Sequence, residues 1–239
     1  MYMKDLFKKK PDEQMPNDSM AKHRERFTQN ASEIYLAHFK QSPKDVLSLT
    51  NKYASQTLIG EMTVYEGLQQ LSSVIDPSDT ELFTVSQLIH SLQVAEMMES
   101  DGLAEEWLML GLVHDLGKIM LLIDEDPANV VCPNQLISRR NESTGLENLI
   151  FSWNHDEYIY LKLGHFFRPE LANILRYHSI RYEPHLDLLT ETDKTWISDY
   201  LLKFRFYDLT SKSLYFHPRK SLRDYRQTID KFFPNKIGF

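Results

Sequence analysis

Six residues have side chains and placement suited to holding metal ions: His90, the adjacent pair His114 and Asp115, His155, His178 and Asp208. Imidazole suits iron, zinc and other transition metals, and a carboxylate can bridge two ions. His114 and Asp115 lie inside an apolar stretch, where two ionisable side chains are costly unless a partner such as a metal compensates them. Of the others, His90 follows Ile89, His178 is one turn from Ile174, and Asp208 is one turn from Phe204, each beside an apolar stripe. Taken singly, each is compatible with an ordinary hydrogen-bonded core residue. Six together point to a metal centre. Lys118 follows His114 by four residues and Lys212 follows Asp208 by four, one helical turn on. Each lysine either directs a cationic donor to the same pocket or runs its stem out to solvent.

The elements that must position these residues are helices. Gly supplies only 8 of 239 residues, and no two glycines stand closer than Gly111 and Gly117, which excludes a dinucleotide-binding loop and argues against a turn-rich all-β chain. With 42% hydrophobic and 26% charged residues, the chain has the apolar matter for a substantial core. Leu82, Val85, Ile89 and Leu92 step by 3, 4 and 3, as do Trp107, Leu110, His114 and Gly117, each reading as one buried helical face. Residues 124–143, with Asp126-Pro127 and Cys132-Pro133, read as a loop. A helix is expected over 145–153. Asn154, with Glu157 three residues later, reads as an N-cap and capping box opening a helix toward Phe166. Arg168-Pro169 opens the next, running to His178, and two more are expected over about 194–213 and 218–232. The expected architecture is a loose arm over residues 1–20 and a single all-α domain over 21–239.

Charge and cysteine usage narrow the setting. Cys132 is the single cysteine, and the first residues carry charges where a signal peptide needs an apolar stretch, so a reducing cytosol is expected. The longest apolar runs fall short of the ~20 residues of a membrane span. Net charge is −7, yet residues 203–239 hold nine Lys/Arg against three Asp/Glu. Without a binding motif this basic segment reads as a solvated helix face. The expected partner is a small molecule, with no nucleic acid and no membrane.

The order His90, His114-Asp115, Asp208 resembles the H…HD…D signature of the HD-domain superfamily of helical metalloproteins. On its own that pattern implies a metal-dependent phosphohydrolase with a metal-activated water. His155 and His178 extend it to H…HD…H…H…D, the set that houses a dinuclear site in this superfamily. The strings Met62-Thr63-Val64, Val113-His114-Asp115-Leu116-Gly117-Lys118, Ser152-Trp153-Asn154-His155-Asp156-Glu157-Tyr158, Arg176-Tyr177-His178-Ser179 and Ile229-Asp230-Lys231 are similar to the inositol oxygenase family, over about residues 24–236. The resemblance implies an HD-domain-like helical bundle around a non-haem diiron site, one ion ferrous and one ferric, with O₂ as co-substrate. The implied reaction belongs to cytoplasmic inositol catabolism, opening myo-inositol to D-glucuronate by a four-electron oxidation. Carried over by position, His90, His114, Asp115 and Asp208 hold one iron, Asp115, His155 and His178 the other, and Asp115 bridges. Asp76, Lys118, Ser179 and Lys212 match positions that bind substrate hydroxyls, with Lys118 steering the reacting one as the catalytic lysine.

The chain departs from the family in its substrate wall. His155 stands only 40 positions after Asp115, and Val131-Cys132 stands where the family has a substrate-contacting Gly-Asp pair. The N-terminal lid is shorter, its arginine corresponding to Arg24 or Arg26. An insertion falls between Trp196 and Asp208, so Asp208 is placed by the string Asp208-Leu209-Thr210-Ser211-Lys212. A polyol hydroxyl left without its partner costs about 1–3 kcal/mol, enough to change substrate choice between inositol and a related hydroxylated compound.

Overall fold

Caps written into the sequence set where the helices begin. The computed structural model describes residues 18–214 and 216–239, with side chains from residue 28 onward. α1 (Asp18–His38) is followed by α2 (Pro43–Ser55), where Ser42 and Asp45 exchange side-chain and backbone hydrogen bonds in a capping box and Pro43 takes the first helical position. Thr63 and Glu66 repeat the box at α3 (Val64–Gln70), and Ser86 caps α4 (Gln87–Ser100). α5 (Glu105–Val113) packs on α4 and is buried from Trp107 to Val113. Gly111 permits that approach, since a Cβ there would stand 3.1 Å from the Met98 sulfur and 3.1 Å from a Val94 methyl. The chain then tightens into the 3₁₀ helix Leu116–Ile123.

α6 (His155–Leu163) pairs with α7 (Pro169–Tyr177), and α8 (Glu191–Trp196) continues through a π turn, Ile197–Leu201, into α9 (Leu202–Ser211), which packs back on α4. The π turn lies in the stretch where the insertion was expected. α10 (Arg226–Phe232) packs on α3. Two small antiparallel pairs complete the fold: β1 (Glu61–Met62) with β4 (Ile237–Gly238), and β2 (Leu136–Arg139) with β3 (Leu149–Phe151). The core runs along α4, α5 and the 3₁₀ helix, where Leu110, Leu112, Val113, Leu116 and Ile119 are wholly buried, each contributing about 1.5–3 kcal/mol. The fold is all-α, and no helix among the described residues is long and apolar enough to cross a membrane.

Several local expectations are corrected. The expected arm lies outside the described residues up to residue 17, and its last three residues already belong to α1. Leu82 and Val85 precede α4 instead of lying in it, because Ser86 takes an extended conformation to cap the helix. The helix expected over 145–153 is a 3₁₀ turn, Leu146–Asn148, followed by β3, whose Leu-Ile-Phe pairs with β2 inside the presumed loop. Apolar runs this short do not distinguish strand from helix. Asn154 caps α6 through the amide of Asp156, but Glu157 closes no capping box, binding Arg176 at 2.6 Å instead. The last helical stretch begins at Leu222, not at 218, and the basic tail is drawn onto acidic residues of α4 and α5: Arg219 pairs with Glu96, Lys220 with Glu99 and Lys231 with Glu105.

Two contacts place the start of α6. Gly117 lies against His155, where a Cβ would meet the His155 carbonyl oxygen at 2.5 Å and its Cβ at 2.9 Å. Gln41, just past α1, holds the other side: its amide nitrogen donates to the carbonyls of Ala128 (3.2 Å) and Trp153 (3.1 Å), and its oxygen accepts the Trp153 N–H (2.7 Å). His38 adds a hydrogen bond from Nδ1 to the Ala128 carbonyl at 2.6 Å and accepts the Ser152 hydroxyl at 2.7 Å, with burial keeping its pKa low and the ring neutral.

Replacing Gly117 by Ala is expected to cost about 1–3 kcal/mol, because the neighbour is backbone and cannot rotate away. Thermal unfolding should fall by several degrees, and an unchanged midpoint would show that α6 has room to move. Gln41→Ala strips the Gln41 partner from the Trp153 N–H and the Trp153 carbonyl, at about 1–3 kcal/mol. Amide hydrogen exchange at Trp153 is expected to accelerate, and unchanged protection would count against the clamp.

Candidate metal centre

Helix ends deliver the candidate ligands to one place. His90 stands in the first turn of α4, His114 and Asp115 follow the last residue of α5, His155 opens α6, His178 follows α7, and Asp208 lies near the end of α9. Their rings pack edge to face in series: His90 with His114, His114 with His178 and His178 with His155, each at 5.3 Å between centroids. Phe204 backs His114 and His178.

Asp115 sits at the middle with its two oxygens divided. Oδ1 lies 3.0 Å from His155 Nε2 and 3.7 Å from His178 Nε2, whereas Oδ2 lies 3.4 Å from His114 Nε2 and 3.7 Å from His90 Nε2. Asp208 Oδ1 joins the second group, 3.0 Å from His90 Nε2 and 3.7 Å from His114 Nε2. His90-His114-Asp115 and Asp115-His155-His178 are thus two adjacent groups with donor atoms close enough to share an ion each, a binuclear metal site.

The donor chemistry fits. Nδ1–H of His114 donates to the Gly111 carbonyl at 2.8 Å, and Nδ1–H of His155 to the Val130 carbonyl at 2.5 Å. Those bonds leave Nε2 of each ring as a lone pair. Both Nε2 atoms are buried and make no hydrogen bond, although they face carboxylate oxygens. Lone pairs turned on lone pairs in a dry site call for a cation between them. His90 differs, with Nε2 in hydrogen-bond contact with Asp208 and Nδ1 without a partner. Burial pushes its pKa down against the pull of Asp208, favouring the neutral imidazole a metal requires. Burial works against the Asp115 charge too, but its neighbours, the Lys118 ammonium at 2.9 Å among them, outweigh it and hold the carboxyl well below the usual range. Asp208 is likewise held low, burial being overcome by His90 and Lys212.

The four expected hydroxyl-binding residues converge on the same cavity, of about 340 Å³. Lys118 is bound by Asp76 (2.8 Å), Asp115 (2.9 Å) and Gln87 (3.0 Å). Lys212 pairs with Asp79 at 2.7 Å. Burial disfavours both ammonium charges, and the neighbouring aspartates more than restore them. The Ser179 hydroxyl lies 2.8 Å from both Asn134 Oδ1 and Asp156 Oδ2. Val131 and Pro133 form an apolar part of the wall, and Cys132 between them turns into the core. The side chains of Arg24 and Arg26 lie outside those described.

Several site residues were not singled out from sequence. Tyr35 lines the cavity; Gln87 and Asp79 hold the two lysines; Asp156, wholly buried, receives the Ser179 N–H and stands 3.5 Å from His178 Nδ1. Asp156 carried a signal, because His155-Asp156 repeats the His-Asp pairing of 114–115. Gln87 lies one turn before His90. Asn134 and Gln41 act on backbone from loops and leave no pattern.

Comparison with known proteins agrees with this geometry. A family model described as Myo-inositol oxygenase matches residues 28–137 and 133–239. A probable inositol oxygenase of Oryza sativa subsp. japonica is 32% identical over 218 residues, covering 74% of this chain and 70% of the relative. Inositol oxygenase 2 of Arabidopsis thaliana is 30% identical over 251 residues, covering 87% and 78%, and the inositol oxygenase of Bos taurus 28% over 212, covering 72% and 74%. With the binuclear ligand groups in place and the family model spanning nearly all of the described residues, this oxidoreductase belongs to the myo-inositol oxygenase family of oxygenases.

Proposed function

We propose that the chain is a non-haem diiron oxygenase that uses O₂ to cleave a carbon–carbon bond of a polyol, converting myo-inositol to D-glucuronate or acting on a related hydroxylated substrate. In this reading His90, His114, Asp115 and Asp208 would hold one iron, and Asp115, His155 and His178 the other. The observation that carries it is the division of Asp115, each oxygen facing a separate pair of imidazoles. Two irons of unlike valence supply, when bound, the electron-transfer chemistry with O₂ that a four-electron oxidation needs.

The chain's own residues bind and orient. Asp76, Lys118, Ser179 and Lys212 meet substrate hydroxyls along one side of the cavity, with Lys118 nearest the bridging carboxylate and so nearest the reacting hydroxyl. Each is already hydrogen-bonded within the protein, so each is fixed in place before substrate arrives and little ordering entropy remains to be lost. Val131 and Pro133 contribute to the lining without a side-chain donor or acceptor, which favours a substrate with fewer hydroxyls there. A phosphohydrolase would use the two lysines for phosphate, yet both are committed to aspartates. That pairing weighs toward a neutral, hydroxylated substrate.

Anaerobically loaded protein is expected to bind about two irons per chain, to give a mixed-valent EPR signal on partial reduction or oxidation, and to consume O₂ with a polyol or smaller diol. Two irons with no mixed-valent signal, or phosphate release from phosphoesters without O₂ uptake, would overturn the reading. His155→Ala and His178→Ala are each expected to lose one iron and all oxygenase activity. Retained activity in either would remove that residue from the ligand set.

A further inference from the structure

Lys118 has three ammonium hydrogens and three acceptors: Asp76 Oδ2 at 2.8 Å, Asp115 Oδ2 at 2.9 Å and Gln87 Oε1 at 3.0 Å. It is 5% exposed, and Gln87 is wholly buried. The Gln87 amide turns its oxygen to Lys118 at the cost of leaving Nε2 without a partner. A lysine can only donate, so Lys118 dictates that orientation. No ammonium hydrogen is left over. A substrate hydroxyl must displace Asp76 or Gln87 to reach it, while the contact with Asp115 persists.

That contact is one-sided. Lys118 binds Oδ2 of Asp115, the oxygen that faces His90 and His114. The group on that side also has Asp208, a carboxylate of its own, whereas His155 and His178 share only Oδ1 of the bridge. A carboxylate oxygen that accepts a charge-assisted hydrogen bond donates less strongly to a second cation, and it has lone pairs enough to do both.

We propose that Lys118 makes Asp115 an unequal bridge, weakening Oδ2 toward the ion held by His90, His114 and Asp208 and leaving Oδ1 as the stronger half for the ion held by His155 and His178. The weak half thus falls to the group with the extra carboxylate, and the two ions are held more evenly than their ligand counts dictate. Lys118 acts here through Asp115 as a positioning residue, in addition to any contact with substrate, and Gln87 and Asp76 hold it to the task. The inference rests on the dinuclear reading above.

Zinc titration of metal-free protein tests it without turnover. In a His155→Ala background, which retains only the His90, His114 and Asp208 group, Lys118→Gln removes the charge and keeps an amide near Asp115. Zn(II) is then expected to bind about tenfold tighter, because a neighbouring cation has gone. In a His90→Ala background the same substitution is expected to change affinity less than about threefold. Lys118→Met, if it folds, should move in the same direction. A lysine that merely props Asp115 in place predicts the opposite sign, so weaker binding in the His155→Ala background overturns the proposal. Equal tightening in both backgrounds overturns it as well. Wild-type protein binding fewer than about two zinc ions would overturn the dinuclear reading itself, and the unequal bridge with it.

Discussion

Everything in this molecule is arranged around the burial of one carboxylate. Asp115 is 3% exposed and is approached by four imidazoles and one ammonium. A lone anion in such a place would take up a proton or unfold its surroundings. Here the surroundings keep it charged, and the helices are disposed to bring that about. α5 ends just before His114, α6 begins at His155 and α7 ends before His178, so these candidate ligands stand at helix termini, whereas His90 and Asp208 lie within α4 and α9. At a terminus, backbone carbonyls are free to take a ring N–H, and Gly111 does so for His114 and Leu175 for His178. The same free groups that terminate helices thereby choose which ring nitrogen faces the carboxylate.

The candidate ligands were legible in the sequence because a buried ionisable residue interrupts an apolar period, and His114-Asp115 fall between two apolar helical stretches, Glu105–Val113 and Leu116–Ile123. The helices carrying them were legible from periodicity and caps, with α6, α7 and the α8–α9 stretch within about a turn of the expected spans, whereas α4 begins at Gln87 and leaves Leu82 and Val85 outside it. The β2–β3 pair was not. Its strands are four and three residues long and pair across a gap, so neither has enough length to show a period. Equally invisible were Gln41 and Asn134, which act through backbone amides and carbonyls of segments far away in the chain. Pattern reveals what a residue's neighbours on its own helix do, and these residues serve other segments.

Gly117 shows the two kinds of information meeting. It stands within the string from His114 to Lys118, and the structure supplies the reason for a glycine there: the backbone of His155 occupies the space a side chain would need. The chain from Asp115 to Lys118 and the start of α6 therefore touch directly. The segment that carries the candidate bridge Asp115 is thereby packed against the backbone of His155.

The loop over residues 128–133 serves the metal and the substrate with different atoms. The Val130 carbonyl takes both the backbone N–H and the ring Nδ1–H of His155, while Val131 and Pro133 line the cavity. His38 and Gln41 hold the loop through the Ala128 carbonyl, again by its backbone. Side chains at 131 and 133 are consequently free to set the chemistry of the wall without disturbing the ligand that the loop's backbone orients. The polar side has no such freedom, because Lys118 touches both the cavity and Asp115. In the proposed reading, Val131 and Pro133 would tune which hydroxylated substrate the cavity takes, while Lys118 ties the cavity to the candidate bridge.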